Sequence, residues 1–168
     1  MLQKSSLNFF PKTIFIKPVS KSVDTIKFNY KLLFDGASKG NPGLAGAGAV
    51  IYHCEEEIWH GHKFIGEKAT NNQAEYSGLI IGLNKAIELN IKSLLVNGDS
   101  LLIINQMTGK YKCNSENLLP LYNTAKELSK KFVDIKFQHV YRNFNKRADE
   151  LSNIAISSFQ LQHITNDK

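Results

Sequence analysis

Four acids stand where this chain could do chemistry. Asp35 ends the apolar run "LLF" (32–34), and Asp99 ends "SLLVNG" (93–98). Glu75 falls in "NNQAE" (71–75) and Asp149 in "NKRADEL" (145–151). A carboxylate delivered by a buried strand is either a solvated turn residue or a metal ligand on a rigid support. Carboxylates crowded at one edge repel and raise one another's pKa unless cations neutralise them. Oxygen-only clusters suit Mg²⁺ or Mn²⁺, with waters and a substrate phosphate completing the shell. Two such ions about 4 Å apart can activate a water and stabilise the leaving oxygen of a phosphodiester. Each acid also has a plainer reading. Asp35 suits a turn, Glu75 a capping box with Asn72 as N-cap, and Asp149 the positive end of a helix dipole.

Hydrophobic periodicity says which elements position these acids. Ile26, Phe28, Tyr30, Leu32 and Phe34 alternate with polar neighbours, as in a strand. Two more strands are expected at 47–53 and 57–65, and the short connections make the three an antiparallel meander. Apolar residues then recur with helical spacing at Leu79, Ile80, Leu83, Ala86 and Ile87, predicting a helix over 72–89. A strand ending at Asp99, a short helix over 100–107, a helix near 116–131 and a strand over 133–140 follow. The last helix starts near Asn145 and turns Ala148, Leu151, Ile154 and Ala155 to the core. Three meandering strands followed by alternating helix and strand make the expected fold an α/β domain with a mixed sheet. The strands bearing Asp35 and Asp99 look buried on both faces. Adjacent and parallel, they would end together, at the edge where such sheets bind ligands.

Several chemistries are excluded. The glycines after Asp35 (Gly40, Gly43, Gly46, Gly48) run into "AVIY", a strand, so they do not open a helix onto a pyrophosphate. "HCEEEIWHGH" (53–62) offers two histidines on one strand face, too few ligands for structural zinc. Cys54 and Cys113 form no CxxC pair and read as free thiols of a reducing, cytoplasmic compartment. No apolar stretch reaches the length of a membrane span. The 168 residues, 42% hydrophobic and 21% charged, fit one domain. The net charge of +6 is uneven, because residues 1–31 contribute six lysines against Asp24. We expect a poorly ordered basic arm over 1–25, a domain over 26–160 and a tail over 161–168. Phe9, Phe10 and Phe15 among lysines leave the arm open between nucleic-acid contact and an organelle address.

"FDGASKGNPGLAGAGAV", "TNNQAEYSGLIIGL", "GDSLLIINQMTGKY" and "NKRADELSNIA" resemble, in order and spacing, the motifs of type 1 ribonuclease H. The resemblance covers about residues 30–157 and implies a ribonuclease H-like fold, a five-stranded mixed sheet (three antiparallel strands, then parallel strands) flanked by helices. It implies an endoribonuclease acting on the RNA strand of RNA/DNA hybrids with two Mg²⁺ ions (Mn²⁺ a possible substitute), leaving 5′-phosphate and 3′-hydroxyl ends. Carried over by motif, Asp35 would bridge the ions, Asp149 would help hold the one that activates water, and Glu75 and Asp99 would complete the other's site. Asn71, Asn72 and main-chain groups of Ser38, Lys39 and Gly40 would meet the ribose 2′-hydroxyl, which only RNA offers. Thr70 and Asn114 resemble contacts to a DNA phosphate, and Lys110 and Lys112 would lie along the hybrid or be solvated. The small-residue turn after Asp35 would let the hybrid backbone approach.

The chain departs from the family in the loop before the last aspartate, where many members carry a catalytic histidine: the stretch "HVYRNFNKRAD" is short, and its His139 belongs to the strand rather than to that loop. Arg142 is the candidate to approach the scissile phosphate, as in a shorter-loop branch. No upstream hybrid-binding module and no obligate protein partner are expected, so the protein reads as a monomer. A binding module that has lost catalysis, and a related nuclease of DNA junctions or of a reverse transcriptase, are the alternatives. Substrate competition separates them.

Overall fold

The computed structural model describes residues 28–166, with side chains through residue 163. The arm over 1–25 lies outside the described residues. The elements run β1 (Tyr30–Gly40), β2 (Gly43–His53), β3 (Glu56–Ala69), α1 (Asn71–Glu88), β4 (Ser93–Gly98), α2 (Leu101–Met107), α3 (Leu119–Ser129), β5 (Asp134–His139), a 3₁₀ turn (Arg142–Phe144) and α4 (Lys146–Asn166). The five strands form one sheet in the order β3-β2-β1-β4-β5. β1, β2 and β3 pair antiparallel, whereas β4 pairs parallel to both β1 and β5. This is the α/β domain with a mixed sheet that periodicity led us to expect.

Alternation along β1 divides the core. Leu32 and Phe34 join Ala49 and Ile51 of β2 and Leu94 and Val96 of β4 beneath α1, α2 and α3. Leu33 and Val50 face the other way, onto Ala148 and Leu151 of α4. A half-buried strand with one set of side chains per face produces this division. Val96, Leu94, Leu32 and Phe34 are almost wholly buried because β1 and β4 lie inside the sheet with helices over them.

Four expectations need correction. The small residues after Asp35 do not form a long turn: β1 continues to Gly40 and β2 begins at Gly43. Two of the glycines, Gly36 and Gly48, are close-packing positions. A Cβ on Gly36 would stand 2.1 Å from the Glu75 main-chain nitrogen, and one on Gly48 2.5 Å from the Ala148 carbonyl oxygen. Glycine there brings α1 and α4 close against the strands, and that tertiary contact overrides the weak strand preference of Gly and Ala.

The N-cap of α1 is Thr70, not Asn72. The Gln73 main-chain N–H donates to Thr70 Oγ1, and Gln73 Oε1 accepts from the Thr70 N–H at 2.8 Å. Thr–x–x–Gln satisfies two orphan donors and releases Glu75 from capping.

Ile154 is 36% exposed while Ile156 is fully buried. The core stripe of α4 therefore runs through Ala148, Leu151, Ser152, Ala155 and Ile156, as a 3.6-residue period requires. Finally, α4 continues through residues expected as a tail from 161, ending at Asn166. Phe159 stacks on Phe64 of β3 with ring centroids 3.7 Å apart and so anchors this last part to the sheet.

Candidate active site

Asp35 and Asp99 reach one place because β1 and β4 run parallel in register. Phe34 pairs with Gly98, so the next residue on each strand is an acid. Gly98 has no room for a side chain, since a Cβ there would lie 2.5 Å from the Phe34 ring. From one face the first turns of α1 bring Glu75, and from the other the start of α4 brings Asp149. All four acids line a single polar cavity of about 300 Å³, together with Gly36, Ala37, Ser38, Asn71, Arg142 and Asn153.

The electrostatics differ among the four. Asp35 is 6% exposed, and burial pushes its carboxyl from 3.8 up to about 8. Asp99, Glu75 and Asp149 add repulsion, against which the Gly36 main-chain N–H pulls it down. Burial likewise pushes Glu75 up to about 7, partly offset by the Ser100 hydroxyl and the Asn71 amide, while Asp99 pushes further upward. Asn71 Nδ2 donates to Glu75 Oε1 at 2.9 Å, and the other oxygen, Oε2, is buried with no hydrogen-bond partner. A buried acceptor left open beside two further carboxylates is what a hard cation would satisfy.

The other two acids have donors from the chain. Arg142 donates to Asp149 Oδ1 at 2.8 Å. Asn145, which the sequence reading used only to mark a helix start, is fully buried. Its Nδ2 donates to Asp99 Oδ1 and to the Phe34 carbonyl, both at 2.9 Å, tying β1, β4 and α4 together at the cavity. His139 ends β5, as expected, and its Nε2 donates to the Asp99 main-chain carbonyl at 3.2 Å. Ser152 Oγ donates to the Asp149 carbonyl at 2.8 Å and stands 3.4 Å from Asp35 Oδ2. Among the described residues, no group of three or more His, Cys, Asp and Glu side chains is drawn tightly enough to hold an ion as it stands. Mutual repulsion and the Arg142 and Asn145 bonds hold the carboxylates around the cavity rather than at one point.

The remaining candidates divide. Ser38 and Asn71 line the cavity. Ser38 Oγ donates to the Ala69 carbonyl at 2.9 Å and also to the Gly40 carbonyl. Lys39 instead reaches Gln160 of α4 at 3.0 Å, and Gly40 sits at the hairpin turn with φ +92°. Asn72 is half-buried beside the cavity without lining it, and Thr70 is engaged as the α1 cap. Lys110, Lys112 and Asn114 are exposed in the segment after α2 and do not line the cavity. Asn145 and Ser152 were missed, although an Asn at a helix start next to an acid motif was a usable signal. His60, from the rejected zinc cluster, pairs with Glu57 at 2.7 Å. No described helix is long and apolar enough to cross a membrane.

Residues 33–155 match the family model described as "Reverse transcriptase-like". The "Bifunctional protein Rv2228c" of Mycobacterium tuberculosis is 41% identical over 126 residues, covering 74% of this chain and 34% of the relative. This chain thus spans about a third of the length of that relative. The ribonuclease HI of Halobacterium salinarum is 42% identical over 124 residues, 73% of this chain and 62% of the relative. The crystal structure of the Halobacterium RNase H1 superposes with a TM-score of 0.73 at 38% identity, covering 77% of this chain and 98% of that one. LC11-RNase H1, solved in complex with an RNA/DNA hybrid, matches with the same TM-score of 0.73 at 33% identity, over 78% of this chain and 99% of that one.

Proposed function

This chain belongs to the reverse transcriptase-like family and is homologous to ribonuclease HI enzymes, and from that premise we propose that it is an endoribonuclease of RNA/DNA hybrids. It hydrolyses the RNA strand by a two-metal-ion mechanism and leaves 5′-phosphate and 3′-hydroxyl ends. The observation that carries this reading is the cavity itself, where four acids from β1, α1, β4 and α4 converge and two of them are buried where ionisation is unfavourable without cations.

Asp35, Glu75, Asp99 and Asp149 would hold two Mg²⁺ ions, with Mn²⁺ a substitute. Bound there, such ions supply water activation and charge stabilisation at the phosphodiester. The chain's own groups do the positioning. Asn145 fixes the Asp99 carboxylate, and Ser152 holds the first turn of α4 beside Asp35. Arg142, exposed at the cavity rim, is the cation available to the scissile phosphate.

Selection of RNA falls to polar groups that demand a 2′-hydroxyl. Asn71 and the main chain near Ser38 are best placed, because both line the cavity. Asn72, Lys39 and Gly40 are secondary members of that set. Thr70, Lys110, Lys112 and Asn114 would follow the hybrid's phosphates farther out.

The test is cleavage of an end-labelled RNA/DNA hybrid with Mg²⁺, comparing the wild type with Asp35→Asn. Metal-dependent internal cuts in the RNA strand, lost in the variant, are expected. Binding of hybrid without cutting in either Mg²⁺ or Mn²⁺ would replace the nuclease with a binding module.

A further inference from the structure

We propose that the groove on the far side of the Arg142–Phe144 turn is a nucleotide subsite, holding one unpaired base and its phosphate from a strand that leaves the catalytic cavity. The inference rests on the hybrid-cleavage reading and adds a substrate class to it, namely hybrids with a single-stranded extension.

One turn serves both places. Arg142 lines the carboxylate cavity, whereas Asn143, Phe144 and Lys146 line a separate groove of about 460 Å³. The groove exists because α4 starts at Lys146 and packs across β1, β2 and β3, with little contact to β4. Its floor is formed where Leu33 and Asn97 meet it, two residues that are themselves largely buried. Asn97 is nine-tenths buried, and its Oδ1 has no hydrogen-bond partner.

The lining fits a nucleotide in two respects. Tyr52 and Phe144 supply aromatic surface, and Phe144 is 66% exposed, a ring kept in water at the groove's edge. Every base has a face that stacks on such a ring, irrespective of sequence. Lys31, Lys146 and Arg147 face the groove against a single acid, Glu55. Lys31 is bonded to Glu55, and Arg147 to Glu57 and Glu150. Lys146 has no ion-pair partner among the described residues and is the cation open to a phosphate. With Lys31 and Arg147 already paired to acids, the unpaired charge of Lys146 is what favours an anionic group at this edge of the groove. Continuity with the cavity through one short turn favours the same strand over an unrelated molecule.

The experiment measures KM and kcat of the full chain on three hybrids: blunt, with a short 5′ RNA extension, and with a short 3′ RNA extension. For the wild type, one extension should lower KM about tenfold, the scale of one stacked base. Phe144→Ala should abolish that difference while leaving cleavage of the blunt hybrid unchanged. Lys146→Ala should reduce it several-fold and make it less sensitive to salt. Equal KM on all three hybrids, or a difference that survives Phe144→Ala, overturns the subsite while the nuclease stands. Competition by a free nucleoside monophosphate with no discrimination among hybrids also overturns it, since the groove would then take a small molecule. Cleavage of none of the hybrids overturns both readings.

Discussion

The four acids of the cavity form two unlike pairs. Asp35 and Glu75 are less than a tenth exposed, and burial pushes both toward the neutral form, to about 8 and about 7. Asp99 and Asp149 sit nearer the rim, each already bonded by a side chain from the stretch that starts α4, Asn145 and Arg142 respectively. The first pair also has donors, Asn71 to Glu75 and the Gly36 main-chain N–H and Ser152 to Asp35, but it is the more deeply buried, and Glu75 Oε2 is left with no hydrogen-bond partner.

The largest effect expected from that difference is at Asp35. Asp35→Asn should lower turnover on an RNA/DNA hybrid on the order of 10³-fold or more, since several kcal/mol of metal-dependent stabilisation pass through the site. The same change should raise the thermal midpoint of the metal-free protein at pH 8, because it removes a buried charge. Opposite signs in activity and stability are the signature. A variant that lost both would assign Asp35 to the fold.

Asn145→Ala comes next, and it acts on the other pair. It frees the Asp99 carboxylate and leaves the Phe34 carbonyl buried without its donor. Turnover should fall about 10- to 100-fold, the scale of lost outer-shell orientation at metal sites, with about 1–3 kcal/mol of stability. Here activity and stability fall together. Chemical denaturation and steady-state kinetics on the same samples separate this pattern from that of Asp35→Asn.

Much of this arrangement was legible in the sequence, for a physical reason. Asp35 and Asp99 each end an apolar run, and buried parallel strands place such residues at a common edge. What each glycine faced was not legible. A glycine in a turn and one under a helix read alike, and only packing showed Gly36 against the backbone at Glu75 and Gly48 against α4. The cap of α1 was readable but misread. Thr70, Asn71 and Asn72 are all N-cap formers, and the reciprocal partner Gln73 decides for Thr70. Ile154 and Ile156 differ by two positions on a helix with polar residues around both, so the facing stripe depended on where α4 met the sheet. Asn145 was seen as a boundary because its second role, to Asp99, spans 46 residues of sequence.

The third expected effect is on stability against pH. A carboxyl whose pKa is raised in the folded chain contributes stability below its ordinary value of 3.8, and that contribution is lost as pH rises toward the folded value. For Asp35 the window runs from about pH 4 to about pH 8, and for Glu75 from about 4.5 to about 7. The metal-free protein should therefore lose stability on the order of several kcal/mol between pH 5 and pH 8. Mg²⁺ should restore it by favouring the ionised acids. Asp35→Asn should flatten the slope. A slope unchanged by Asp35→Asn would erase the distinction between the pairs.

The smallest structural effect is expected at Arg142, and it decides what the rim pair is for. Its side chain is 78% exposed and makes one ion pair, to Asp149. Surface pairs of this kind contribute about 0.2–1 kcal/mol, so Arg142→Ala should scarcely change the denaturation midpoint. Activity is another matter if the guanidinium turns from Asp149 to a substrate phosphate once cations occupy the cavity. Turnover should then fall about tenfold in kcat with KM nearly unchanged, as for an interaction made in the transition state. Arg142→Lys should recover part of the loss, since the charge remains while the planar fork is gone. A full kcat in Arg142→Ala would make Arg142 only the counter-charge that holds Asp149 apart from the other acids when the site is empty. In that case its removal should show as a change in metal affinity, measured by Mg²⁺ titration of cleavage, and not in the chemical step.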